Sequence, residues 1–530
     1  MRALRSTVAR FTLICMVAVP VLGEAYENET HRQLSVTAFD LSGIASTLQW
    51  TYGIAPDATF KTHLLDFEAG PQTPAEWVRL GGSAEDVPPW RVLNHFYDPI
   101  SGGGSGILGA VAAPDWALED GGDLDGQRYS YKDARDAFYR GLTASDRDRR
   151  ERELGHTFYT LGHVIHLIQD MAQPQHTRND LHLVHTPLEG LIEKYVERNI
   201  RRFALTRAPI PFVRRPRDLW ADNRGSGFAQ FSNANFVSAG TNFIALRDGA
   251  TAERYASPTL DLALQDVVSA PAECRDGVVA PGPMTFFANT FLDRVSGGFL
   301  TNPRMTTYSI FDQYLIDRGR GLIFALNCFN IDAAADILLP RAAAYSAVLL
   351  QYFFRGRLGI NMADNRFLLS NETPGEAIDG RFEVYYDTPE GVRLLLTQGP
   401  LSLGPNQVTG ILQSPGVAAG IDGPCFLVFR GRMGDEADAV TGMAIGCPRN
   451  PATSPTPPSP PPTPPTPPGD ALYGYKVFYI ENLYPQFGEQ CLIVTPPPGS
   501  TWPTMLHYQF FYATHGVYAE IRSSARDECP

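Results

Sequence analysis

Positive charge is scarce in this chain. Its 44 lysines and arginines stand against 57 aspartates and glutamates, giving a formal net charge of −13. Such a balance argues against a broad surface for a nucleic-acid backbone, although a local basic patch stays compatible with it. Cysteine is sparse too, seven in 530 residues. None sits among the histidines, which disfavours a Cys-rich zinc finger. After residue 25 no stretch reaches membrane-spanning length without charges. There is no internal repeat and no β-α-β alternation, so neither a solenoid nor a doubly wound sheet is indicated.

What is present points to a folded, exported, multidomain chain. A length of 530 residues exceeds one ordinary domain, and 44% hydrophobic residues suffice for a core. Residues 1–25 read as a signal peptide. Arg2, Arg5 and Arg10 form a positive start, FTLICMVAVPVLG is the apolar segment, and Gly23 and Ala25 are small residues before a cleavage point. Localisation is therefore expected to be secreted, extracellular or periplasmic. Removing Cys15 with that segment leaves an even set of six cysteines. Their simplest pairing is between chain neighbours, 274–328, 425–447 and 491–529, one of fifteen possible connectivities.

Residues 26–357 carry helical periodicity in THRQLSVTAFDLSGIASTLQW, YKDARDAFYRGL, the 151–172 stretch, PLEGLIEKYVERNIRRFAL, TYSIFDQYLIDRG and AAADILLPRAAAYSAVLLQYFFRG. The last is long and apolar enough for a core helix. After Gly356 the pattern changes. GRFEVYYDTPEGVRLLL and GPCFLVFRGRM read as strands of a small β domain at 375–449. A Pro-rich linker follows at 450–469. Its residues 455–468 include ten prolines, a semi-rigid spacer of roughly 40 Å if extended. Residues 470–530 form an aromatic-rich β module, suited either to surface attachment or to a stalk without a ligand.

The chemistry concentrates around LGHVIHLIQDMAQPQHTRND, residues 161–180. His166 and Asp170 lie one helical turn apart on one face. Pro174 biases Gln173 away from helical geometry, so the chain turns and can bring His176 back. Two imidazoles and a carboxylate suit zinc, but histidines bonded to an aspartate in a core would give the same pattern. Three further groups can complete a site. His185 and Glu189 repeat the i, i+4 spacing, Asp86 and His95 lie in EDVPPWRVLNHFYDP, and Tyr26 and His31 lie in YENETH.

In this order the groups resemble the zinc-dependent phospholipases C and the related single-strand-specific nucleases. NHFYDP, QPQH and RAAAYSAVLLQYFF are similar to segments of the phospholipases. The resemblance covers about 26–357. It implies an all-α catalytic domain, with the two small β domains outside it, and three Zn2+ ions. One ion would take Asp86, His95, His166 and Asp170. A second would take His176, His185 and Glu189. The third would take the α-amino and carbonyl groups of Tyr26 with His31 and Asp170. Departures exist: Tyr26 replaces the usual Trp, Glu85 competes with Asp86, and His182 competes with His185. Asp86 is preferred. So is His185, because Glu189 lies one turn beyond it. His163 reads as a residue able to orient a ligand, and His156 as core or support. The terminal ligand would make signal removal an activation step.

The resemblance implies phosphodiester hydrolysis, with Asp86 as general base or water orienter. A phospholipid or membrane surface is the first expected substrate, because the last ligand pair is H-x3-E and the chain is acidic. A nuclease or nucleotidase is the alternative. A secreted adhesion or scaffold protein with structural zinc is the third reading. The C-terminal module could contact membrane or carbohydrate through tyrosines and phenylalanines.

Overall fold

The computed structural model describes residues 28–63, 68–180, 187–206, 208–244, 265–268, 273–279, 284–309, 322–363, 366–409, 412–413, 424–446, 473–479, 490–494 and 519–525. The chain forms two compact units, Met1–Thr453 and Ser454–Pro530.

The helices of the first unit follow the sequence periodicity. They are α1 (Asn28–Ser42), α2 (Ile44–Tyr52), α3 (Pro74–Gly82), α4 (Ala113–Leu118), α5 (Tyr131–Thr143), α6 (Arg147–Gln169), α7 (Pro174–Thr177), α8 (Pro187–Asn199), α9 (Phe228–Asn235) and α10 (Cys328–Phe353). Their starts have chemical causes. The Thr73 hydroxyl accepts from the Glu76 amide ahead of α3, with Pro74 at the first helical position. Ser130 and Asp133 form a reciprocal capping box on α5. Asp146 caps the 23-residue α6 through the Arg149 amide, and Asn327 caps α10.

α10 is a core helix despite being apolar enough to cross a membrane. Leu339, Tyr345, Leu349 and Leu350 are fully buried. The Cys274–Cys328 disulfide ties its first residue to the segment between Gln265–Val268 and Met284–Leu292, as the neighbour pairing expected. Cys425 is also disulfide-bonded. Cys447 and Cys529 lie outside the described residues.

The expectation of an all-α region at 26–357 is met only in part. Phe60–His63 pairs antiparallel with Glu68–Gln72. A three-stranded sheet is built from Gln265–Val268, Met284–Leu292 and Phe299–Thr307. The physical reason is a segment, MTFFANTFL, rich in the phenylalanine and threonine that favour strands, with buried Asn289 and Phe291 alternating with exposed Thr290 and Leu292 at its end. Of the stretch read as helical from Thr307, that residue closes a strand, and residues 310–321 lie outside the described set.

The strands expected after Gly356 are present. Ile378–Asp387 and Pro424–Met433 pair at the centre of a four-stranded antiparallel sheet, flanked by Arg393–Leu403 and Glu436–Gly446. This sheet shares the helices' core: Tyr385, Val428 and Val440 pack with Tyr52, Phe138 and Phe354. Buried Arg135 of α5 donates to Glu436 at 2.7 Å, and Arg355 reaches the other carboxylate oxygen at 2.5 Å. The Tyr52 hydroxyl lies 3.1 Å from the Thr441 hydroxyl.

In the second unit Tyr473–Tyr479 pairs antiparallel with Gln490–Val494 and Ala519–Ala525. The proline-rich residues 450–469 lie outside the described set.

α6 crosses α3 at glycines. A Cβ on Gly162 would stand 2.4 Å from the Val78 carbonyl oxygen and 2.6 Å from the Gly82 nitrogen. Side chains cannot be accommodated there, so the two backbones touch. That contact sets the depth at which α6 presents His166 and Asp170.

Candidate metal centre

α6 runs to Gln169, and Asp170 opens a single 3-10 turn. Gln173 then adopts extended geometry at φ −102° and ψ 111°, ahead of Pro174, as steric exclusion before proline requires. α7 brings His176 back to the same corner. His31 comes from α1, Asp86 from the turn after α3, and His95 from the end of the 3-10 helix Pro89–Asn94. All six residues are at least 96% buried.

Asp170 is the centre of the group. Its Oδ1 lies 3.5 Å from His31 Nε2. Its Oδ2 lies 2.8 Å from His95 Nδ1, 3.4 Å from His166 Nε2 and 3.8 Å from His176 Nδ1. Asp86 Oδ1 stands 3.5 Å from both His95 Nδ1 and His166 Nε2. The His31 and His166 rings stack with centroids 3.7 Å apart.

The outer ring nitrogens have their own partners. His166 Nδ1 bonds the Gly82 carbonyl at 2.7 Å, His31 Nδ1 bonds Gln169 Oε1 at 2.7 Å, and His176 Nδ1 bonds the His95 carbonyl at 3.2 Å. These acceptors require Nδ1–H, which leaves an Nε2 lone pair on each ring. Gln169 is itself held by the Ser35 hydroxyl side, donating to it at 3.2 Å. The sequence reading missed Gln169, Ser35 and the Gly82 carbonyl. Only the adjacency of Gln169 to Asp170 could have signalled the first.

Zinc fits this donor set. Asp86 Oδ1, His95 Nδ1, His166 Nε2 and both Asp170 oxygens are buried without a hydrogen bond, a costly arrangement unless a cation satisfies them. Two ligands about 2.1 Å from a tetrahedral ion stand about 3.4 Å apart, close to three of the four separations among His95, His166, Asp86 and Asp170. Two clusters meet the geometry of metal ligands: His31, His166 and Asp170, and Asp86, His95 and His166.

Electrostatics agree. Burial disfavours charge on His166, but Asp170 and Asp86 outweigh it and raise its pKa well above the ordinary value. The two carboxylates therefore favour a positive charge beside that nitrogen. Burial, then His166, push His31 down to about 4, so it is neutral near pH 7 with its lone pair available. For Asp170 burial works upward, yet His166 and His95 hold it well below the usual carboxylate range.

Glu85 and Asp86 diverge. Asp86 faces the cluster, whereas Glu85 faces away into a buried network with Arg91, Trp116 and His163. His163 stacks on Tyr129, and His156 meets the same ring edge-on; neither reaches the cluster. Tyr26, His182 and His185 lie outside the described residues. Glu189 falls on α8, its side chain outside the described set.

No protein-family model matches the sequence, and neither does any curated protein. Two solved structures are similar to it in part. One is the alpha toxin of Clostridium absonum, at 12% identity and TM-score 0.22, covering 70% of this chain and 82% of the toxin. The other is the alpha-toxin of an avian Clostridium perfringens strain, at 10% identity and TM-score 0.22, covering 80% of this chain and 99% of the toxin. At that TM-score the likeness does not establish a shared fold.

Proposed function

We propose that the chain is a secreted, zinc-dependent phosphodiester hydrolase acting as a phospholipase C. The observation that carries the reading is Asp170. Its two oxygens face different imidazoles, His31 on one side and His95 and His166 on the other, an arrangement suited to a carboxylate shared by two ions. His31, Asp86, His95, His166, Asp170 and His176 would hold metal, together with Tyr26, His185 and Glu189, as three ions. When bound, zinc supplies Lewis acidity, offsetting phosphodiester charge and easing the ionisation of water.

The protein's own groups do the rest. Burial would raise the Asp86 carboxyl, but His166 and His95 outweigh it and hold it below its ordinary value. Asp86 is thus ionised near pH 7 and able to orient a water and accept its proton. Gln169, Gly82 and the His95 carbonyl fix three imidazoles by their Nδ1–H groups, so the ligand set needs little reorganisation. A lipid substrate is favoured over nucleic acid by exposed apolar residues that follow the ligands in sequence. Val87 and Trp90, after Asp86, are 65% and 43% exposed, and Leu108, beyond His95, is 93% exposed. Apolar side chains of this kind suit an acyl or membrane surface.

The test is hydrolysis by the zinc-loaded protein of phosphatidylcholine vesicles, sphingomyelin vesicles and single-stranded DNA. Release of a phosphorylated head group, with DNA intact, is expected. Cleavage of DNA alone would move the assignment to a nuclease. No hydrolysis by a fully metallated protein would leave a structural zinc protein. Asp86→Asn should lose at least about 100-fold in kcat while staying folded.

A further inference from the structure

His95 is held differently from the other imidazoles of the cluster. Its Nδ1 faces Asp170 and Asp86. Its Nε2 faces away, 3.8 Å from Glu85 Oε1. The other three bond carbonyl-type oxygens through Nδ1. For His95 alone, the group behind the ring is a carboxylate.

That carboxylate is held rigidly. Glu85 is fully buried. Arg91 Nη2 donates to both its oxygens, at 2.7 and 2.6 Å. The Trp116 indole N–H donates to Oε1 at 2.9 Å, and His163 Nδ1 meets Oε2 at 2.5 Å. Arg91 is fixed in turn by Gln127 Oε1 at 3.0 Å and by the Glu85 carbonyl at 3.2 Å. Its guanidinium lies 5.0 Å from the Trp116 ring centroid. A buried ion pair with this many donors is costly to assemble and weak evidence for stability alone, which favours a role in holding something else.

We propose that Glu85 is a positioning residue that accepts the Nε2–H of His95, so that His95 binds metal through Nδ1 while the other histidines use Nε2. Arg91, Trp116 and His163 hold the Glu85 carboxylate in place and keep it aimed at the ring. A carboxylate behind an imidazole fixes its tautomer and raises its basicity as a ligand. This rests on the reading of the cluster as a metal centre.

A crystal structure of the zinc-loaded full-length protein tests it. The ion nearest His95 should bond Nδ1, with Nε2 about 3.0 Å from Glu85 Oε1. Bonding through Nε2 overturns the proposal. In chelator competition, Glu85→Gln should weaken one zinc by about ten- to a hundredfold and leave the others unchanged. Trp116→Phe removes one donor but keeps the charge, and should change that affinity by less than about threefold. Unchanged zinc affinity in Glu85→Gln, or an equal loss in Trp116→Phe, overturns it. If Glu85→Gln fails to fold, the ring-nitrogen assignment in the wild-type crystal decides. Wild-type protein that takes up no zinc overturns the metal reading instead.

Discussion

Replacing Gly162 by alanine tests how the fold places the centre. In the interior of a helix this change ordinarily stabilises by about 1 kcal/mol. Here the new Cβ would stand 2.4 Å from the Val78 carbonyl oxygen, 2.6 Å from the Gly82 nitrogen and 2.7 Å from the Gly81 Cα. These are backbone atoms with no rotamer to change. Reaching ordinary contact at about 3.4 Å requires α3 and α6 to part by about 1 Å. Overpacking of this kind costs about 1–3 kcal/mol. The 2.7 Å bond from His166 Nδ1 to the Gly82 carbonyl stretches beyond bonding range, losing about 1 kcal/mol more. The net expectation is destabilisation of about 1–3 kcal/mol, with zinc affinity lower by about tenfold because His166 loses its orienting acceptor. Urea unfolding and zinc titration read the two effects. A Gly162→Ala protein at least as stable as wild type, with zinc affinity intact, would refute the claim that this crossing sets the site.

Two further predictions concern the frame around the site. Glu436 is buried; burial alone would raise its pKa, but Arg135 and Arg355 hold it below its ordinary 4.5. Its contribution is present above that value and lost as pH falls through the lowered one. Glu436→Gln should therefore destabilise the first unit near pH 7 by about 3–5 kcal/mol and flatten the acid limb of its stability–pH curve below 4.5; an unchanged limb would count against the sheet being anchored there. Opening the Cys274–Cys328 bridge, which spans 54 residues, should cost about 4 kcal/mol by loss of the chain-entropy constraint, measured as a lower unfolding midpoint in Cys274→Ser with Cys328→Ser.

The helices were legible because burial on one face leaves a 3.6-residue period. α1, α5, α6 and α10 all follow it. The turn at Gln173 was legible because proline restricts its predecessor. The structure brings His31, Asp86, His95, His166, Asp170 and His176 of the expected set to one corner, while Tyr26, His185 and the Glu189 side chain lie outside the described residues. Other features depend on contacts between distant residues and leave no local signal. The pairing of Arg135 with Glu436 spans 301 positions, and nothing near either residue announces it. Glu85 and Asp86 are neighbours of similar chemistry, and only the buried Arg91 and His163 separate their roles. The strands at 284–307 were missed because helical periodicity on either side dominated the reading.

The central claim is that Asp170 is shared by metal ions, and the zinc content of purified wild-type and Asp170→Asn proteins tests it most directly. Elemental analysis after dialysis should find about three zinc ions per wild-type chain, with at least two lost together in Asp170→Asn while the helical circular dichroism persists. Wild-type protein without zinc, or an Asp170→Asn variant that keeps its full complement, would contradict the account.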